Sequence, residues 1–162
     1  VRFRVENRKH LQLWEPRRPA GFFTTPFWEH HLSYLIQDYR DGHSLCLAIM
    51  DPLDTEVIGV CNFTNIIRGT FLACHLGYAL AEKHQGQGLM FEALECAIRH
   101  VFSEIKLNRV MAAYIPRNAR SGRLLHRLQF VKEGEAEKYL EINGRWEDHI
   151  LTSRLHPVEP PA

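Results

Sequence analysis

The chain has 162 residues, 45% of them hydrophobic, and carries 20 Lys plus Arg against 19 Asp plus Glu. That is enough apolar material for the core of one domain of ordinary size and excludes a disordered chain. A net charge of +1 gives no global drive toward nucleic acid, so no DNA partner is expected, although the segment from Arg99 to Lys132 is distinctly basic.

No apolar run approaches the roughly 20 residues that span a bilayer, so no membrane partner is expected. No signal-peptide pattern stands at the start. The four cysteines, Cys46, Cys61, Cys74 and Cys96, lack C-x-x-C spacing, and a domain of this size needs no staples. They read as reduced core thiols of a cytoplasmic protein, and no metal site is expected. The chain opens on Val1, so residues ahead of it are expected.

In chain order, the first strong signal is a helix start at Thr25-Pro26, with Thr25 as N-cap and Pro26 at the first helical position. Phe27, His31, Leu32, Leu35, Ile36 and Tyr39 then recur at helical spacing until Asp41-Gly42. Ser44 to Met50 and Val57 to Phe63, joined by the turn Asp51-Pro52-Leu53-Asp54, read as an antiparallel hairpin. Phe71 to Leu80 is a third strand. The strongest helix follows Gly86-Gln87-Gly88, with Met90, Leu94, Ala97, Ile98, Val101, Phe102 and Ile105 on one apolar face.

Arg109 to Ile115 is a short strand, and Asn118 to Leu128 is an amphipathic helix with Leu124, Leu125 and Leu128 inward. A last hairpin runs from about Tyr139 to Ser153, turning at Asn143-Gly144 in type I′ geometry. This order predicts an α/β (α+β) fold in which helices flank a mixed, mostly antiparallel sheet, parallel where a strand–helix–strand unit sits in the middle. Residues 1–155 are expected to form one domain and 156–162 a loose, Pro-rich tail.

The stretch that carries chemistry is Leu76 to Met90, a strand running through glycines straight into a long helix. Glycines let a ligand approach the backbone. The first N–H groups of a helix lack internal partners, and its dipole adds positive character there. Together these make an anion site suited to a pyrophosphate. Alone, Gly86-x-Gly88 also fits a plain tight turn. The dinucleotide fingerprint fails, because Phe91 and Ala93 stand near where a third glycine is needed, and no Gly-Lys-Ser/Thr of a P-loop occurs.

Lys83-x-x-Gly86-x-Gly88 resembles the acetyl-CoA signature [RQ]-x-x-G-x-[GA] of the GNAT acetyltransferase superfamily, with Lys at the first position. Asn118-Ala119-Arg120-Ser121 resembles the N-x-x-S element of its RimJ/RimL group, and Leu13-Trp14-Glu15-Pro16, Ile58 to Phe63, Gly88 to Leu94 and Asn143-Gly144-x-Trp146-x-Asp148-His149 look like RimJ-type sequence. The resemblance runs from about Glu6 to Ser153. It implies a GNAT fold whose first strand and most of a helix precede this segment. It implies that acetyl-CoA is the donor and a protein N-terminus, that of a ribosomal protein beginning with alanine, the acceptor. Transfer would be direct, in a monomer or homodimer with a transient ribosome contact.

On this resemblance Lys83, His84, Gln85, Gly86, Gln87, Gly88, Leu89 and Met90 would cradle the pyrophosphate, and Tyr78, Ala79 and Leu80 would pair through their backbone with the pantetheine arm. Asn118 and Ser121 would contact the cofactor. Ser121 would also protonate the leaving thiolate, because the tyrosine many GNAT enzymes use is replaced by Leu125, and Gln129 replaces Gly in Leu128-Gln129-Phe130. Asn118 equally suits a helix N-cap, and Ser121 an exposed first-turn serine. His75, Glu141 and Glu92 are candidate bases, with His75 one step out of phase with Leu76 and Tyr78 and hence on the other side of the strand.

Arg117, Arg120, Arg123 and Arg127, spaced by three, three and four, would meet the 3′-phosphate, ribosomal RNA, or only solvent. Trp14, Phe22, Phe23, Phe27 and Trp28 would line the acceptor cleft or form a core contact. Two other functions fit the same features: acetylation of a small amine such as an antibiotic, amino acid or polyamine, and a ribosome- or RNA-associated module with little catalysis.

Overall fold

The computed structural model describes residues 1–157. Six strands form one sheet: β1 (Leu45–Met50), β2 (Val57–Ile67), β3 (Ala73–Leu80), β4 (Arg109–Tyr114), β5 (Val131–Ile142) and β6 (Arg145–Leu155). Their order across the sheet is β1-β2-β3-β4-β6-β5. Every neighbouring pair is antiparallel except β3 and β4. The α-helices among the described residues are α1 (Arg2–Glu6), α2 (Arg8–Leu11), α3 (Thr25–Arg40), α4 (Leu89–Ser103) and α5 (Ala119–Arg127). The mixed, mostly antiparallel sheet flanked by helices is the architecture expected from the sequence.

The crossover helix α4 joins the parallel pair, as a parallel connection requires. Its buried residues Met90, Leu94, Ala97, Ile98, Val101 and Phe102 are the apolar face read from the sequence. They share a core with Cys74, Leu76 and Leu80 of β3. Side chains alternate along a strand, so Ala79, and Ala81 just beyond the strand, form a second cluster on the other face, with Phe3 and Leu11 of α1 and α2. Each large core side chain contributes about 1.5–3 kcal/mol by leaving water. Arg154 of β6 donates two hydrogen bonds to Glu95, at 2.7 and 3.2 Å, and fastens α4 to the sheet.

Several expected details differ. Thr24, not Thr25, stands at the N-cap of α3, and its hydroxyl makes no cap bond to the helix but donates back to the Gly21 carbonyl at 2.7 Å. That helix buries none of its residues despite their spacing, because no second layer covers its outer face. The third strand starts at Ala73 instead of Phe71, since Leu72 takes a left-handed φ of 45°. Strand β5 begins eight residues before the expected Tyr139, at Val131. Its charges hide it as a sequence pattern, and they suit an edge strand that must not recruit another chain. The Asn143-Gly144 turn has φ of 47° and 81°, as type I′ requires.

Cys61 and Cys74 are buried thiols, pushed up to about 11 and about 12 by desolvation, but Cys96 is exposed on α4 and is no core residue. His156, assigned to the tail, packs edge-on against Phe102 and donates its N–H to the Asn108 carbonyl. The rest of that tail from 158 onward lies outside the described residues. Among the described residues no helix is long and apolar enough to cross a membrane.

Candidate active site

Strands β3 and β4 pair through three registered positions, Ala73 with Arg109, Cys74 with Val110, and His75 with Met111. Beyond His75 the two strands part. Leu76 to Leu80 stay bonded to β2, while Ala112 to Tyr114 stay bonded to β6. The backbone groups of β3 that face the resulting gap have no ladder partner among the described residues. Unpaired strand N–H groups lining a cleft are donors for a carbonyl that enters it.

Helix α5 abuts this gap. Asn118 caps it, accepting the Ser121 N–H at 3.2 Å. Gly122 lets the helix press on β4: a Cβ there would lie 2.8–2.9 Å from the Tyr114 ring. The close fit brings Ser121 over the gap, where its Oγ stands 2.6 Å from the Tyr78 hydroxyl of β3. Burial pushes the Tyr78 phenol up to about 12, so it stays protonated in neutral solution. Serine and phenol share one proton-bearing contact across the opening.

The loop after β3 supplies the second half of the site. A single 3-10 turn, Glu82–His84, leads into Gly86 and Gly88 with φ of 76° and 83°. Nothing lies within 4 Å of where a Cβ would stand on either glycine. Gly88 is the N-cap of α4, so the loop delivers an open backbone to the positive end of a 15-residue helix. Among the contacts that hold the loop, Asn7 Oδ1 accepts the Glu82 N–H at 2.9 Å, His10 Nε2 meets Gln85 Nε2 at 2.8 Å, and Arg120 donates to Gln85 Oε1.

The residues named from the sequence divide accordingly. Tyr78, Ala79, Leu80, Gly86, Gln87, Gly88, Leu89, Asn118 and Ser121 gather along the gap and the loop. Met90 is buried in the core and offers the loop only its backbone. Lys83 gives its ammonium to Glu56 at 2.8 Å, and His84 Nε2 lies 3.8 Å from the same carboxylate. His75 stands at the last registered pair, on the face opposite Tyr78, with Nδ1 buried and unbonded. Glu141 is exposed beside the hairpin turn and Glu92 is exposed in the first turn of α4.

Arg120, Arg123 and Arg127 share a face of α5 by their spacing, but Arg117, Arg120 and Arg127 have separate partners. Arg117, just before α5, pairs with Glu147 at 2.7 Å and lies over Trp14. Arg120 serves the loop, and Arg127 lies over Phe91. Of the aromatic cluster, Phe22, Phe23, Phe27 and Trp28 pack on one another around a buried Phe22, while Trp14 stands with Arg117.

Residues 8–131 match the acetyltransferase (GNAT) domain family. The chain belongs to the GNAT acetyltransferases. It is an N-acetyltransferase of the RimJ/RimL type, and acetyl-CoA is the donor in its family. It is 44% identical over 158 residues to the [ribosomal protein uS5]-alanine N-acetyltransferase of Escherichia coli (strain K12), covering 98% of this chain and 81% of that protein. It is similar in structure, at a TM-score of 0.94 and 43% identity, to the ribosomal-protein-S5-alanine acetyltransferase of Vibrio fischeri, covering 98% of this chain and 87% of that one. The RimJ of Mycobacterium smegmatis, in complex with CoA-disulfide, aligns at a TM-score of 0.89 and 29% identity over 95% of this chain and 74% of that one.

The residues present fit CoA. The glycines leave open backbone at a helix N-terminus, and the strand gap leaves unpaired amides. What sequence reasoning missed is the Tyr78 hydroxyl, together with Tyr114 and Gly122. Tyr78 is in phase with Leu76 and Leu80, facing the core. A phenol there requires a buried partner, which is the signal that pointed beyond its backbone.

Proposed function

We propose that this GNAT enzyme acetylates the N-terminal α-amine of a ribosomal protein, one beginning with alanine, by direct transfer in the cytoplasm. The observation that carries this reading is the 44% identity to the uS5-alanine enzyme over nearly the whole chain. When bound, acetyl-CoA supplies the activated thioester. The amine forms the new C–N bond, the C–S bond breaks, and the amine's surplus proton must leave.

Gly86, Gly88 and the first N–H groups of α4 would hold the diphosphate, and Asn118 keeps α5 in register at the gap. Gap-facing N–H groups of β3 are the donors available to polarise the carbonyl. Ser121 is assigned the proton given to the thiolate, with Tyr78 holding that hydroxyl and replenishing it. An α-amine has a pKa of about 7.7–8.0, so much of it is neutral already and a weak base suffices. His75 is assigned as that base, directly or through water. It sits where the strands begin to part, on the face away from Tyr78, and its Nδ1 has no other bond.

Thiol release from acetyl-CoA, followed with an Ala-initiated ribosomal-protein peptide beside a panel of small amines, tests the reading. Turnover on the peptide alone is expected. Turnover on a small amine alone would overturn it.

A further inference from the structure

A cavity of about 320 Å³ opens between α2, the segment after it and the β5–β6 turn, on the face of the sheet away from α4 and α5. Arg4, Arg8, Arg17 and Arg18 line it with one carboxylate, Glu15. Both oxygens of Glu15 are engaged, Oε1 by the 8% exposed Arg4 at 2.9 Å and Oε2 by Arg18 at 3.5 Å. Arg8 and Arg17 make no ion pair among the described residues.

Two of the guanidinium groups are stacked on rings. Arg8 lies over the Phe23 ring at 4.4 Å and Arg18 over Phe22 at 4.7 Å. Stacking fixes the planar forks while leaving their edges to donate, and such forks match a carboxylate two bonds at a time. Like charges held this close, with one counter-charge already used, favour an incoming anion. Concavity matters as well: a single hollow suits one side chain, whereas an RNA backbone needs a line of cations across an outer surface.

With His75 assigned as the base, the amine comes to the face of β3 away from Tyr78, and the hollow lies on that face. α1 and α2 pack on Ala79 and Ala81, back to back with the Tyr78–Ser121 contact. Trp14, next to Glu15, lies under Arg117, one residue before the cap of α5. The hairpin turn closes over it, with the Asn143 N–H bonded to the Glu15 carbonyl at 3.0 Å. A chain threading its amine into the gap from this face passes the hollow.

We propose that this pocket is a carboxylate-binding subsite, which selects acceptor peptides carrying Asp or Glu a few residues after the N-terminus. The inference rests on the N-terminal transfer reading above. Its test uses Ala-initiated hexapeptides with Glu placed in turn at positions three to six, each beside its Gln counterpart. Binding to the CoA-loaded protein is measured by calorimetry, and turnover by thiol release.

One Glu position is expected to bind about tenfold tighter than its Gln partner and to lower KM by the same factor, as a charge-assisted pair does. The double variant Arg8→Gln, Arg17→Gln is expected to bring that ratio to one while still binding acetyl-CoA, which certifies its fold. Equal affinity of Glu and Gln peptides at every position would overturn the subsite. So would a ratio unchanged in the double variant, or arginine-dependent binding of an RNA oligonucleotide with no peptide preference. Selective binding of the Glu peptide without any acetylation would uphold the subsite and sink the transfer reading instead.

Discussion

Helices α3 and α4 have nearly the same length, 16 and 15 residues, and both carry apolar side chains at helical spacing. α4 buries six of its side chains, and Leu94 and Ile98 reach zero exposure. α3 buries none, and Leu32 and Ile36 are 50% and 52% exposed. The difference lies in what each helix meets. α4 crosses from β3 to β4 and lies over the sheet's centre, while α3 meets the 3-10 turn before it and the edge strand β1. Periodicity shows that a helix has a face to bury, and topology decides whether anything covers it. The donor half proposed for the site stands on the packed side, and the acceptor side proposed for it is lined by arginines, aromatic rings and a hairpin turn.

The sharpest way to break this comparison is at the donor loop. Gly86→Val is expected to abolish acetyl-CoA binding by calorimetry, while thermal unfolding records only the roughly 1–2 kcal/mol that a side chain costs at a left-handed φ, since the position has open space and no packing role. Normal binding by that variant would put the diphosphate elsewhere. Next, Leu94→Ala is expected to cost about 2–5 kcal/mol in urea unfolding, as a buried truncation does. Leu32→Ala on α3 should stay within about 0.5 kcal/mol. Comparable losses from the two would show that α3 has a covered face after all.

Smaller effects test the contact across the gap. Ser121→Ala is expected to lower kcat on the order of 10²-fold with the KM for acetyl-CoA little changed. Tyr78→Phe should lower kcat less and alter its pH profile, because the serine would keep its place but lose its protonated partner. Equal kcat in Ser121→Ala and the parent protein would remove the serine from proton transfer.

The smallest expected effect is on acid stability. Hydrogen bonds from Arg154, Arg109 and Arg117 hold the Glu95, Glu133 and Glu147 carboxyls below the ordinary glutamate range. A lowered folded pKa means that these contributions are complete above the unfolded value of about 4.3 and fade as pH falls through the folded one. Arg154→Gln should therefore destabilise the protein above pH 5 and flatten the loss between pH 5 and 3, as read by urea midpoints.

Much of the site's donor half was legible in the residues alone. Gly86 and Gly88 could be read because a backbone that turns left-handed at a helix start needs glycine whatever surrounds it. Asn118 could be read because a cap bonds within its own first turn, here to Ser121. The apolar face of α4, the Asn143-Gly144 turn and the strand–helix–strand unit are local in the same sense: spacing and dihedral preference act over a few residues. Tertiary structure decided the rest, because it depends on distance across the chain. Tyr78 meets Ser121 from 43 residues away, Gly122 takes its meaning from the Tyr114 ring, and Lys83 turns from the loop to Glu56. Most of all, the exposure of α3 and the gathering of Arg4, Arg8, Arg17 and Arg18 around one carboxylate follow from which surfaces the sheet brings together.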